Sequence, residues 1–313
     1  MAVARGLLAL TGLGGLALAL LPPERLMALL PAGFLARAAD LTPMRGLVAA
    51  DGLLSLGIAA LLPRLMPPLE RGLARLFGEW PGWWRALPRW ERGAIGILSG
   101  LALLRMGGVF WVPPLEDEAA NWYNYTRHSL AACVLHYPSP NNHLLYSLLS
   151  YLPVQGWPGP DPMPPQRLVA GLFGVLAIPL GWRLGRGLGG PMMAAGMAAG
   201  LLLLPGLVFA SWQGRGHLPA AVLGLGMLGL LLRHRGQPRP GDLPALSLLA
   251  IGWGWLVPSL PMALPPLWLA GMASTRGRWR ALRPWLWSGV LIGAVLIAVY
   301  AQAFVTTTLV LGQ

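Results

Sequence analysis

The chain has 313 residues, of which 55% are hydrophobic and only 11% charged, with a mean hydropathy of +0.58. An ordinary soluble domain carries about 25% charged residues, so this composition excludes a soluble globular enzyme, a disordered chain and a basic nucleic-acid-binding domain. The formal charge of +12 comes from 23 basic residues, all arginine, set in short stretches between apolar runs, where they act as a topology signal.

The expected fold is all-α: a polytopic helical membrane protein with about nine transmembrane helices. In chain order the apolar runs are 6–21 (resuming at 26–35 after Pro22-Pro23), 46–62, 93–113, 168–182, 192–210, 218–232, 243–257, 262–273 and 285–311. A span needs about 20 apolar residues, so the shorter runs must borrow flanking residues or lie inside protein. A cleaved signal peptide is the alternative for the first run, which follows Arg5 and has small residues near its end. Residues 67–92 place Trp80, Trp83, Trp84 and Trp90 among arginines, as an interfacial segment does; a lipid-headgroup site is its functional alternative. Residues 1–92 thus read as two spans plus a cytoplasmic Trp/Arg-rich segment, and 93–313 as a second module. The glycines of 187–190 need only form a loop.

Arginine clusters orient the spans. Six arginines lie between Arg64 and Arg92. Arg183 and Arg186 follow the fourth run, Arg233, Arg235 and Arg239 the sixth, and Arg276, Arg278, Arg280 and Arg283 precede the last. All four clusters fall in the cytoplasm if 243–257 and 262–273 form a hairpin turning at 258–261. The loop 115–166, the stretch 211–217 and the C-terminus then face outside.

The external loop opens with Glu116-Asp117-Glu118, three of only 11 acidic residues. Carboxylates at the end of a span are a solvated boundary or, functionally, a general base or a site for a divalent cation on Asp117 and Glu118. Amides, imidazoles and aromatics follow, including Asn141, Asn142 and His143. They precede an amphipathic helix expected over 140–152, whose Leu144, Leu145, Leu148, Leu149 and Leu152 would pack beside the acidic triplet. Amides and aromatic faces suit sugar hydroxyls, and imidazole and guanidinium suit phosphate. The intervals between His128, His136 and His143 match no short metal-ligand spacing. The single Cys133 excludes an internal disulfide. A second polar island, 211–217, carries Arg215 and His217 on the same face, against the positive-inside pattern. Arg105 lies inside the third run.

Three motifs in this order resemble the GT-C glycosyltransferases, in particular the branch of bacterial protein O-mannosyltransferases and lipid A aminoarabinose transferases. Asp117-Glu118-Ala119 resembles the family's acidic motif in its first external loop. Pro140-Asn141-Asn142-His143 with the following leucines resembles its second motif, with juxtamembrane helices in that loop. Arg167 through Arg186, followed by Trp212-Gln213-Gly214-Arg215-Gly216-His217, resembles the stretch ending in an Arg-Gly-aromatic signature. His217 stands where an aromatic is usual, and Gly214 where a larger residue is common. From residue 93 onward the seven remaining runs match the family's seven-helix module.

The resemblance implies an inverting transfer of a monosaccharide from a polyprenyl-phosphate donor at the extracytoplasmic surface of the bacterial inner membrane. Asp117 would be the base. Glu118 would position it or bind the acceptor. Asn141, Asn142, His143, Arg215 and His217 would hold sugar and phosphate. The partners implied are the bilayer and the lipid-linked donor, with no nucleic acid. Family members usually continue for further helices. The alternative reading is therefore a non-catalytic structural or assembly subunit beside a partner membrane subunit. A transporter or channel ranks third, because only Arg105 and Asp51 lie within spans.

Overall fold

The computed structural model describes residues 42–128, 143–236, 241–257, 259–273 and 279–311, together with 9, 10, 13, 16, 17, 19, 20, 130, 133 and 239. The site residues Asn141 and Asn142, most of the first apolar run and residues 274–278 lie outside the described residues. The chain divides into two compact units. One comprises Met1–Glu70, Tyr137–Ser139 and Gly293–Gln313; the other comprises Arg71–His136 and Pro140–Ile292 and holds every contact described below.

Among the described residues the structure is helical, with no strand. The helices are α1 (Thr42–Phe77), α2 (Trp80–Ala86), α3 (Arg89–Arg105), α4 (Glu116–Asn121), α5 (Leu144–Gln155), α6 (Met163–Leu203), α7 (Pro205–Trp212), α8 (His217–Gly236), α9 (Asp242–Leu256), α10 (Leu264–Ala273) and α11 (Trp279–Leu311). Among the described residues four segments, Arg89–Phe110, Met163–Leu203, His217–His234 and Trp279–Ile297, are long and apolar enough to cross a membrane. Their outer surfaces are apolar. Ile97, Leu101 and Leu104 form an exposed stripe on α3, and Leu172 and Leu176 one on α6. Buried carboxylates and guanidinium groups lie within, an arrangement suited to hydrocarbon as the solvent.

Local chemistry sets the helix ends. Asp161 Oδ1 accepts the Met163 backbone N–H (2.9 Å) at the start of α6, where Pro164 and Pro165 tolerate their missing donors. Helix α6 is not straight. Gly189 and Gly190 leave helical geometry, Gly190 with φ of +77°, and the chain folds back on itself. Small residues let the two arms, 163–188 and 191–203, meet. A Cβ on Gly185 would lie 2.7 Å from the Ala194 Cα, and one on Gly181 would meet Leu201 and Ala198. The pairs 185/194 and 181/198 are those of an antiparallel hairpin. Ile95 and Ala102 of α3 pack against Ile178 and Trp182 of the first arm and Ala194, Ala198 and Leu202 of the second. A second core joins Tyr146, Val169, Ala170, Ala220 and Leu256, drawn from α5, α6, α8 and α9.

Helix α5 forms over Leu144–Gln155, against the expected 140–152, and the expected apolar face is split. Leu144 is buried and Leu145 packs against the second core, whereas Leu149 and Leu152 are exposed, and Tyr146, Ser147 and Ser150 are buried in their place. Polar groups turn inward because they have partners there: Ser147 donates to Asn121 Oδ1 (2.6 Å) and Tyr146 to the Gln166 carbonyl (2.6 Å). Burial, followed by the nearby Glu118 charge, pushes the Tyr146 phenol up.

Two polar layers cap this bundle. Arg167 and Arg183 lie sixteen residues apart on one arm of α6, so about 24 Å separates them along the axis. The first layer gathers Asp117, Glu118, His143, Arg167 and Arg215. The second gathers Arg75, Glu79, Arg183, Arg233, Arg239 and Asp242.

Candidate functional site

The first layer begins with α4. Its first turn is Glu116, Asp117 and Glu118, which suits the positive end of a helix. Consecutive helical residues point about 100° apart, so the adjacent carboxylates serve different surroundings. Glu118 points into the bundle and has no exposed surface. Its Oε1 accepts Arg167 Nε–H (2.9 Å) and the Gly214 backbone N–H, and its Oε2 accepts Arg167 Nη2–H (2.6 Å) and the Leu115 backbone N–H (2.9 Å). Arg167 spends its remaining donors on the carbonyls of Val109 (2.9 Å), Val112 (2.7 Å) and Pro113 (3.1 Å). All five guanidinium N–H groups are used, as a buried cation requires. Gln166, also fully buried, donates to the Glu118 carbonyl (3.0 Å).

This knot clasps the end of the third run, α4, the start of α6 and the loop between α7 and α8. It therefore positions what lies beside it. Asp117 stays partly open, with its side chain 40% exposed, and is ion-paired with Arg215 Nη1. Arg215 Nη2 reaches His143 Nε2 (3.1 Å). The other ring nitrogen, Nδ1, faces the Leu256 carbonyl, a hydrogen bond that requires an N–H there and leaves Nε2 as an acceptor for the guanidinium. Burial chiefly, then the Arg215 and His217 charges, lowers the His143 pKa to about 4, so the ring is neutral at pH 7. The His217 ring is exposed and sits edge-on to His143, centroids 5.1 Å apart.

The glycines of 211–217 have a steric reason. A Cβ on Gly214 would lie 2.9 Å from Gln166 Nε2 and 3.2 Å from Glu118 Oε1, and one on Gly216 would overlap the Leu256 carbonyl oxygen. A larger residue at 214 would displace the N–H that Glu118 accepts.

The structure thus brings Asp117, His143 and Arg215 into one hydrogen-bonded chain, with His217 beside it and Glu118 behind it. Asp117 and Glu118 fit a shared divalent cation poorly: four N–H groups already fill the Glu118 oxygens and Arg215 occupies Asp117. Among the described residues no three His, Cys, Asp or Glu side chains gather as metal ligands. The sequence reading left Gln166 and Arg167 without a role at the site. Arg167 carried a usable signal, since like Arg215 it is an arginine on the face predicted to be outside. Arg105 turns to the Leu202 carbonyl and stays out of the site. An apolar cavity of about 110 Å³, lined by Met227, Leu246, Trp253, Trp268 and Trp285 among others, includes none of Asp117, His143 or Arg215.

Fold and site together define a class: an all-helical chain whose apolar helices are compatible with a multi-pass membrane protein, closed at one end by a partly open Asp–Arg–His chain. Comparison with known proteins finds no matching family model, no similar curated protein and no similar solved structure.

Proposed function

We propose that this protein is an inverting membrane glycosyltransferase of GT-C type, moving a monosaccharide from a polyprenyl-phosphate donor to an acceptor hydroxyl or amine. In this reading the chain has about nine spans in the bacterial inner membrane, seven of them forming the transferase module, and the first polar layer faces the periplasm. The observation that carries the proposal is Arg215 held between Asp117 and His143. Arg215 supplies charge for a phosphate, and neutral His143 orients it without adding repulsion. When the donor phosphate takes the guanidinium, Asp117 is released beside the anomeric carbon. It then accepts the acceptor proton as the acceptor atom bonds to that carbon. The bond from carbon to phosphate oxygen breaks, and the electron pair leaves on the polyprenyl phosphate, against Arg215. Asn141, Asn142 and His217 are the groups proposed to hold the sugar and phosphate. Glu118 and Arg167 fix the position of Asp117.

A second reading is a non-catalytic subunit of a larger membrane complex. It is favoured by the closure of Asp117 on Arg215 within the chain.

The test is transfer from a labelled polyprenyl-phosphate sugar in nanodiscs, with donor binding followed in parallel. Asp117→Asn keeps size and hydrogen bonding but cannot take the proton, so turnover should fall about 10²–10⁴-fold while binding persists. Unchanged turnover removes Asp117 as the base. Absence of turnover by the wild-type chain with every donor tried, alone and with co-purifying subunits, selects the second reading.

A further inference from the structure

The second polar layer is independent of the proposed chemistry, and its charge does not balance. Glu79 sits between α1 and α2. Four guanidinium groups converge on its carboxylate from four parts of the chain: Arg75 of α1, Arg183 of α6 (2.9 Å), Arg233 of α8 (2.7 Å), and Arg239 before α9 (3.0 Å). Burial pushes the Glu79 carboxyl up, but the Arg233 hydrogen bond and the charges of Arg75, Arg233 and Arg183 outweigh it, and its pKa lies below the ordinary value. Among the described residues the one other carboxylate in the cluster is Asp242, wholly buried, which takes Arg75 Nε–H and the Arg239 backbone N–H (2.9 Å) and has His234 at 3.5 Å. Four cations thus meet two anions, a surplus of two positive charges within a few ångströms.

A second observation points at a ligand. The Arg75 side chain is about nineteen-twentieths buried, yet among the described residues its Nη2 has no hydrogen-bond partner. A buried guanidinium N–H without an acceptor is costly, and an oxyanion supplied from outside would satisfy it. The cluster is open to such a group, because Arg233 and Arg239 keep 32% and 45% of their side-chain surface exposed. Arg183 lies over the rings of Trp80 and Trp83, 5.0 and 5.7 Å from their centroids, which holds its charge in place at the rim.

We infer that Arg75, Arg183, Arg233 and Arg239 form a phosphate-binding site at the end of the bundle opposite Asp117. The ligand is a phosphate-bearing anion, either the headgroup of an anionic lipid or a free phosphate compound. Guanidinium forks fit phosphate oxygens two at a time, and a dianion would match the surplus charge.

The experiment uses the whole chain and reads thermal unfolding, with three probes: inorganic pyrophosphate in detergent, nanodiscs of phosphatidylglycerol, and nanodiscs of phosphatidylcholine. Ionic strength is matched with sodium chloride throughout. The expected result is a saturable rise in midpoint with pyrophosphate, with phosphatidylglycerol, or with both. A rise in phosphatidylglycerol alone assigns the lipid headgroup, and a rise with pyrophosphate assigns a free phosphate compound. Arg233→Gln with Arg239→Gln leaves the Arg75–Asp242 pair intact and should weaken binding about tenfold or more. Should the double variant fail to fold, Arg239→Gln alone, at the most exposed member, must still weaken it. Equal midpoints in all three probes would overturn the inference. So would a rise that sodium chloride reproduces, or one that the variants leave unchanged.

Discussion

Glu118 and Arg167 close on each other through two hydrogen bonds, of 2.9 and 2.6 Å, and neither side chain keeps more than 1% of its surface exposed. Removing one partner of such a pair strands the other charge, which typically costs about 3–5 kcal/mol. Glu118→Gln and Arg167→Ala should both unfold at markedly lower temperature. Arg167→Lys should fail too, because three rotatable donors cannot replace a five-donor fork. Asp117→Asn, one residue away and partly exposed, should change stability by only about 0–1 kcal/mol. Equal losses at 117 and 118 in thermal unfolding would contradict the different surroundings described for the two carboxylates.

Gly216→Ala drives a methyl group into the Leu256 carbonyl oxygen that His143 needs. A loss of about 1–3 kcal/mol should follow, as for other overpacked interiors. Gly206→Ala, where a Cβ meets open space, is the matched control and should be neutral or mildly stabilising. The two unfolding midpoints need to differ in that order.

Protonation provides a third check. The ordinary pKa of histidine here is 6.5, and that of His143 lies near 4. Between these values the unfolded chain binds a proton that the folded chain does not. The contribution to stability is therefore complete above 6.5 and is lost as pH falls towards 4, by on the order of 3 kcal/mol. His143→Asn keeps a donor for the Leu256 carbonyl but cannot titrate. Unfolding profiles of the two proteins should differ in slope between pH 4 and 6.5 and run parallel above it. Parallel profiles throughout would place His143 in a more solvated setting.

Three glycines near the turn of α6 should respond differently. Gly185→Val forces the hairpin arms apart, since even a Cβ would lie 2.7 Å from the Ala194 Cα. Gly190→Ala must adopt a positive φ, at about 1–2 kcal/mol. Gly187→Ala meets nothing and gains helix propensity, up to about 1 kcal/mol. The order of midpoints should be 187, then 190, then 185. A tolerated Gly185→Val would argue against close contact of the arms.

If the helices cross a bilayer, the two polar layers lie on opposite sides. Pro158 and Gly82 are exposed near the first and second layers respectively. In a Cys133→Ala background, Pro158→Cys and Gly82→Cys should react with a membrane-impermeant maleimide from opposite faces of sealed vesicles. Labelling of both from one face would remove the proposed topology.

Much of this arrangement was readable in the residues. Apolar runs marked α3, both arms of α6, α8 and α9, because a polar backbone in hydrocarbon has few options besides the helix. The glycines at 187–190 marked the turn. The acidic triplet was singled out because carboxylates at the end of a span must be solvated or paired, and the Arg215 island because an arginine on the outer face breaks the positive-inside pattern. The leucine spacing marked α5, but not which way it faces. Leu144 turns inward while Leu149 and Leu152 turn outward, because the partners of Tyr146 and Ser147 on other segments set the rotation of the helix.

The partnerships themselves belonged to the tertiary structure. Glu118 and Arg167 are 49 residues apart, Asp117 and Arg215 are 98, and Glu79 and Arg233 are 154. Hydropathy is a property of each segment and survives being read one segment at a time. Charge pairing is not: a guanidinium takes whichever carboxylate helix packing brings within 3 Å. Only the folded chain could give Arg167 to Glu118, leave Arg215 for Asp117 and His143, and crowd four arginines onto Glu79.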